Sequence, residues 1–148
     1  MTFPSDFLWG ASTSAHQIEG YTNNQWSQWE QQKAEQLAKQ AQTSHYTSLQ
    51  TWPENKSDAQ NSVNYLSGQA TDHWNRYDKD FDLLQQLGCN AYRMSVEWSR
   101  IEPHEGQFDT EVISQYQAMI RDLQARGITP IVTLWHWTEP RWFTQKGS

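Results

Sequence analysis

What most limits the folds open to this 148-residue chain is an alternation of short apolar runs with amphipathic helical stretches. Phe7-Leu8-Trp9-Gly10-Ala11-Ser12 reads as a first, buried strand. With Thr71 or Asp72 as N-cap, Trp74, Tyr77, Phe81, Leu84 and Leu87 recur at three and four residues and stop before Gly88, which predicts a helix. Residues 90–96 alternate as a second strand. Asp109 or Thr110 opens another helix with Ile113, Tyr116, Ile120 and Leu123 on one face, closed by Gly127. Ile131-Val132-Thr133-Leu134-Trp135 is a nearly continuous apolar strand, the pattern of a parallel strand covered on both faces. Strand, helix, strand, helix, strand at this spacing implies an α/β fold of βαβ units with parallel strands and right-handed crossovers. An eight-stranded (β/α) barrel takes about 250 residues. Three strands therefore make either a small open α/β domain or the opening part of a larger barrel.

Between the first strand and the helix at 71 the chain is polar. Helix formers such as Glu30, Lys33, Ala34, Leu37 and Ala38 predict a surface helix from Ser27 to about residue 42. Residues 43–69 read as a long loop or insertion, and the polar insertion as a whole occupies about residues 30–70. Eleven basic residues against seventeen acidic ones leave a net charge of −6. That balance speaks against nucleic acid and anionic membranes as partners, because both are held by clustered Lys and Arg. No apolar run approaches the roughly 20 residues of a spanning helix. The start lacks the basic and apolar regions of a secretory signal. A single cysteine, Cys89, can form neither an internal disulfide nor a zinc knot, so a reducing, cytoplasmic setting is the expectation. The five histidines lack the spacing of paired metal ligands, and there is no Gly-rich phosphate loop or nucleophile elbow. Neither a metal nor a cofactor is expected.

Nine Trp, six Tyr and five Phe bring the aromatic share to 14%, and several of these rings sit beside polar groups at strand ends. Gln17 and Glu19 follow the first strand, Glu97, Trp98, Ser99 and Arg100 the second, and Trp135-His136-Trp137 closes the third. Ligands of parallel sheets bind at that carboxyl edge. A Gln17 carboxamide can bridge two adjacent hydroxyls, and a His136 ring nitrogen can donate or accept. Trp137 offers an apolar platform for a pyranose face. Arg93 lies mid-strand between Ala91 and Ser95, while Tyr92, Met94 and Val96 share the other face. In a barrel the apolar set would face the helices and Arg93 would point inward, where a guanidinium needs a carboxylate. Glu97 falls at the strand's end, so that acid is expected from elsewhere. The alternative is an exposed arginine on an open edge.

Phe3-Pro4, Phe7-Leu8-Trp9-Gly10-Ala11-Ser12-Thr13-Ser14-Ala15-His16-Gln17-Ile18-Glu19-Gly20, Asp72-His73-Trp74-Asn75-Arg76-Tyr77, Tyr92-Arg93-Met94-Ser95-Val96-Glu97-Trp98-Ser99-Arg100-Ile101 and Pro130-Ile131-Val132-Thr133-Leu134-Trp135-His136-Trp137 closely resemble, in order, the opening of glycoside hydrolase family 1, the β-glucosidase family. The resemblance spans nearly the whole chain apart from the polar stretch. It implies a TIM (β/α)8 barrel that hydrolyses β-glycosides with retention, of which residues 1–148 would be the N-terminal part, about three βα units of a single domain. It further implies that Gln17 and His136 hydrogen-bond the sugar in the cleaved subsite, with Trp137 beside them, and that Arg93 sits against the nucleophile. The implied substrate is a β-linked glucoside or another β-glycoside, and the implied partner is the remainder of the barrel.

Retaining hydrolysis needs two carboxyl groups about 5–5.5 Å apart. The family carries them in an Asn-Glu-Pro and a Glu-Asn-Gly motif, and neither occurs here. Thr138-Glu139-Pro140 imitates the first but directly follows His136-Trp137. Pro53-Glu54-Asn55-Lys56 imitates the second but lies in the polar insertion and lacks the glycine. The expectation is a chain with a natural start at Met1, cut after the third strand, with no catalytic residue and no turnover of its own. A non-catalytic sugar-binding module or a complementing structural fragment is the alternative.

Overall fold

In the computed structural model, which describes residues 2–147, the chain runs through strand β1 (Gly10–Ser12), helices α1 (Ala15–Ile18), α2 (Gln25–Gln40), α3 (Trp52–Ala59) and α4 (His73–Gln86), strand β2 (Ala91–Ser95), helices α5 (Trp98–Ile101) and α6 (Thr110–Ala125), strand β3 (Thr129–Thr133) and helix α7 (Arg141–Thr144). The strands form one parallel sheet in the order β1-β2-β3. Gly10 pairs with Ala91 and Ser12 with Arg93, and Ala91 pairs with Thr129 and Ser95 with Thr133. A side chain on Gly10 would run into the Ala91 carbonyl, so this first pairing requires glycine.

The alternation read from residues 90–96 is realised. Tyr92 and Met94 point to the helices and are buried with Phe81 and Leu84 of α4 and Tyr116, Met119 and Leu123 of α6. Arg93, between them, projects from the opposite face and is exposed. Burial of each large apolar side chain contributes about 1.5–3 kcal/mol, so this layer between α4, α6 and the sheet holds the chain together. Asp109 caps α6 as expected, accepting from the amides of Glu111 and Val112 at 2.9 and 3.0 Å, and Gly127 at φ 73° ends it.

Four expectations are corrected. β1 is only three residues long. Phe7, Leu8 and Trp9 are 38%, 51% and 51% exposed, because the side chain of Asn90 takes over from the ladder, accepting from the Trp9 amide at 2.7 Å and donating to the Phe7 carbonyl at 3.1 Å. β3 is not covered on both faces. Ile131 is 44% and Leu134 79% exposed, since among the described residues nothing packs on the helix-free side of the sheet and β3 has one neighbour. Asp72 stands at the N-cap of α4 but in a left-handed conformation that turns its carboxylate to Asn75. The free Trp74 amide is met instead by the Glu19 carbonyl at 3.4 Å, a tertiary contact. Finally, residues 43–69 are not one loop. Ser44 and Asn61 accept from the amides two residues ahead and open 3-10 turns at His45–Ser48 and Ser62–Tyr65, and Pro53 sits in the first turn of α3. The segment is tied back to α2 where Ser67 donates its amide and hydroxyl to Glu30 at 2.9 and 2.6 Å.

Candidate functional site

All three connections that leave the carboxyl ends of the strands meet on one rim. The buried centre of that rim is Glu19, just past α1. Its carboxylate accepts from the Tyr116 hydroxyl at 2.8 Å and from Arg100 Nε at 2.9 Å, and the Arg100 guanidinium lies 4.5 Å from the Trp74 ring. Burial pushes the Glu19 carboxyl up to about 7, while Tyr116 and Arg100 pull it the other way. Burial also raises Tyr116, with the Glu19 charge adding to the effect. Arg100 donates as well to the Gly20 carbonyl. Gly20 has φ 83°, and a side chain there would strike the Gln69 carbonyl. The glycine thus lets three segments meet.

Beside it, Glu97 is fully buried. It accepts from the Ser99 hydroxyl at 2.7 Å and from the Thr138 hydroxyl at 3.0 Å. The second bond joins the end of β2 to the loop after β3. Gln25 of α2 holds the same loop from the other side. Its carboxamide donates to the Trp137 carbonyl at 2.8 Å and accepts from the Glu139 amide at 2.6 Å. Held at both ends, Trp137 adopts φ 71°, a left-handed conformation unusual for a bulky residue, and its ring is 72% exposed.

Gln17, His136 and Trp137, the residues singled out for ligand contact, line one cleft of about 440 Å³ together with Trp26, Glu30 and Thr138. That size suits a small ligand. Gln17 is exposed, and its carboxamide oxygen accepts from Ser14 at 2.8 Å. His136 Nδ1 is buried with no hydrogen-bond partner among the described residues, so that side of the ring faces protein and not the cleft. The carboxylate in this lining, Glu30, is already engaged by Ser67 and by His16 at 3.2 Å. Among the described residues the cleft therefore presents donors, acceptors and aromatic faces, without the paired carboxylates of a retaining hydrolase. Glu139 and Glu54 do not line it.

Arg93 stands apart from this cleft. Its Nε donates to the Thr133 hydroxyl at 3.0 Å, and a terminal nitrogen reaches the Ser12 hydroxyl at 3.4 Å. Among the described residues no carboxylate pairs with it. It points, as expected, from the face that becomes the inside of a barrel, and it is exposed because that face is open here.

Two ring systems beside the cleft were not foreseen. Trp26 and Trp29 of α2 pack edge to face at 5.5 Å and, with Gln25, Gln28, Gln32 and Thr144, line a second cleft of about 720 Å³. The signal was present in Gln25-Trp26-Ser27-Gln28-Trp29, where Trp and Gln recur at helical spacing. A helix read as a polar surface hid it.

Comparison with known proteins agrees with this architecture. The family model described as Glycosyl hydrolase family 1 matches residues 1–148. Beta-glucosidase A of Acetivibrio thermocellus is 32% identical over 149 residues, covering 100% of this chain and 29% of that protein. A rye (Secale cereale) chloroplastic benzoxazinyl glucoside beta-D-glucosidase is 36% identical, covering 94% of this chain and 22% of its own length. Among solved structures, a beta-glycosidase from Pyrococcus horikoshii superposes with a TM-score of 0.75 at 39% identity, over 99% of this chain and 28% of that one. The family 1 β-glucosidase of Thermotoga maritima gives 0.68 at 29% identity. The chain thus spans less than a third of the length of these relatives, and its three parallel strands with their helices correspond to part of a TIM barrel.

Proposed function

This chain belongs to glycosyl hydrolase family 1, and from that premise we propose that it forms the N-terminal sugar-binding wall of a retaining β-glycosidase of the β-glucosidase type, acting on a β-linked glucoside or another β-glycoside. The observation that carries the reading is the convergence of Gln17, His136 and Trp137 on one cleft at the carboxyl edge of the sheet. Gln17 and His136 hydrogen-bond ring hydroxyls, and Trp137 lies along the apolar face. Arg93, on the open face, orients and charge-stabilises the nucleophilic carboxylate. The two glutamates are supplied from outside these 148 residues. One protonates the leaving oxygen. The other attacks the anomeric carbon to form a glycosyl-enzyme that water then cleaves. In this reading the chain by itself turns over no substrate and takes no cofactor. Neither nucleic acid nor membrane is a partner, and its setting is the reducing cytoplasm.

The exposed Ile131 of β3 and Leu134 and Trp135 just after it favour one companion role, that of a piece which associates with the strands completing the barrel. Titration of the chain with glucose and cellobiose, followed by tryptophan fluorescence, tests the binding reading. A saturable change that is lost in Gln17→Ala is the expected result, and a flat response refutes it. Co-expression with the remaining five βα units of a family 1 enzyme should restore hydrolysis of an aryl β-glucoside. Hydrolysis by the chain alone that vanishes in Glu139→Gln would show that a catalytic carboxylate is present after all.

A further inference from the structure

Helix α2 lies outside the strand-and-helix repeat, between β1 and the helix that leads into β2. It is nevertheless bonded to both halves of the Gln17–His136–Trp137 cleft. At its first residue, the Gln25 backbone amide donates to the Glu139 carbonyl at 3.1 Å. The Gln25 carboxamide donates to the Trp137 carbonyl at 2.8 Å and accepts from the Glu139 amide at 2.6 Å. The residue before it, Asn24, pairs with Pro140 as an isolated antiparallel bridge. The loop is thus held along the stretch that carries Trp137 at φ 71°. A bulky residue stays in that conformation only where its surroundings hold it there.

The other half of the cleft is reached through His16, which immediately precedes Gln17. Asn24 is fully buried, and its side-chain oxygen is taken by the Ser27 amide at 2.9 Å. Its nitrogen therefore faces His16 Nδ1, at 3.2 Å. That ring nitrogen must accept, and it accepts also from the Thr22 hydroxyl at 2.9 Å. The ring hydrogen then sits on Nε2, 3.2 Å from the Glu30 carboxylate. Glu30 stands about 7.5 Å further along the axis of α2 than Gln25. One rigid helix is therefore tied to the neighbour of Gln17 at one side and to the backbone of Trp137 at the other.

We propose that α2 is a strut that sets the separation of Gln17 from Trp137, with Gln25 and His16 as positioning residues for sugar binding. The proposal rests on the sugar-binding reading of the cleft and deepens it. Gln25 acts through Trp137, by keeping its backbone left-handed and its ring turned to the cleft. His16 acts through Gln17, by fixing α1 against α2.

Two measurements on the 148-residue chain test it. Nitrogen-15 labelling of tryptophan reads the strut without any sugar. The indole resonance of Trp137, identified by its loss in Trp137→Phe, should shift in Gln25→Ala and in Gln25→Glu. The second variant keeps the acceptor for the Glu139 amide and lacks the donor for the Trp137 carbonyl. The same resonance should stay in place in His16→Phe. Glucose titration should then show about three- to tenfold weaker binding in Gln25→Ala and in His16→Phe, the scale of one misplaced contact. In a Trp137→Ala background, Gln25→Ala should weaken binding by less than about twofold further, because it acts through that ring. If circular dichroism shows that Gln25→Ala loses structure, Gln25→Glu decides. An unmoved Trp137 resonance in the Gln25 variants overturns the strut. So does a glucose affinity that the Gln25 variants and His16→Phe leave unchanged, or a Gln25→Ala effect that persists in full without the Trp137 ring. An unaltered chain that binds no glucose refutes the sugar-binding reading instead, and the Trp137 resonance alone then decides whether α2 sets that loop.

Discussion

Thr138 donates its hydroxyl to the carboxylate of Glu97 across 3.0 Å, forty-one residues back along the chain and fully out of solvent. Through this bond the end of β2 sets the position of the loop that carries His136 and Trp137. Ser99 fills the other carboxylate oxygen. Removing the acceptor leaves two hydroxyls unpaired in a buried place, so Glu97→Ala should destabilise the chain by about 1–3 kcal/mol. Urea denaturation measures it, and a midpoint equal to that of the unaltered chain would mean that water replaces the carboxylate without loss.

Glu19 makes stability depend on pH. Its carboxyl is raised from 4.5 to about 7 in the folded chain. Between those values the folded state keeps a proton that the unfolded state gives up, so the stabilisation is full below about 4.5 and is lost as pH rises through about 7. Denaturation midpoints at pH 5 and pH 7.5 should differ in favour of pH 5. The difference should shrink in Glu19→Gln, which cannot titrate. An unchanged pH dependence in that variant would place the effect elsewhere.

Leu123 and Met119 are fully buried between α6 and the sheet. Leu123→Ala should cost about 2–5 kcal/mol through lost transfer energy and the cavity left behind. Loss of a cooperative thermal transition, or a clear fall in its midpoint, is the expected outcome by circular dichroism, and an unchanged midpoint would refute it.

Arg93 separates stability from function. Exposed, and bonded among the described residues only to Thr133 and Ser12, it should tolerate Arg93→Met within about 0.5 kcal/mol when the chain is unfolded alone. In a barrel completed by co-expression the same change should lower kcat by about a hundredfold, the scale of a misplaced reacting group. Wild-type turnover by the complemented Arg93→Met variant would end its role as the nucleophile's support.

The alternation Tyr92-Arg93-Met94 and the helical spacing of Tyr116 and Leu123 were legible in the chain, because side-chain period follows directly from backbone geometry. So were the parallel order of the strands and the cap at Asp109. Other features depended on contacts far apart in sequence. Asn90 shortens β1 by bonding to Phe7 and Trp9, and no local pattern around Phe7 announces it. The Glu19 carbonyl replaces Asp72 as the cap of α4 for the same reason. Trp29 went unnoticed because its neighbours are polar, and only the placement of α7 opposite α2 turns that helix face into a cleft.

Residue order alone determined the α/β alternation, the candidates Gln17, His136 and Trp137 at the strand ends, and the sheet face that Arg93 takes opposite Tyr92 and Met94, since each follows from periodicity and from chemical type. Tertiary structure decided which of these groups share a space. Gln17 and His136 are separated by well over a hundred positions, and their meeting depends on Glu97 and Gln25 gripping the 137–139 loop. Those bonds form between segments that become neighbours only when the parallel sheet brings their strand ends to one edge.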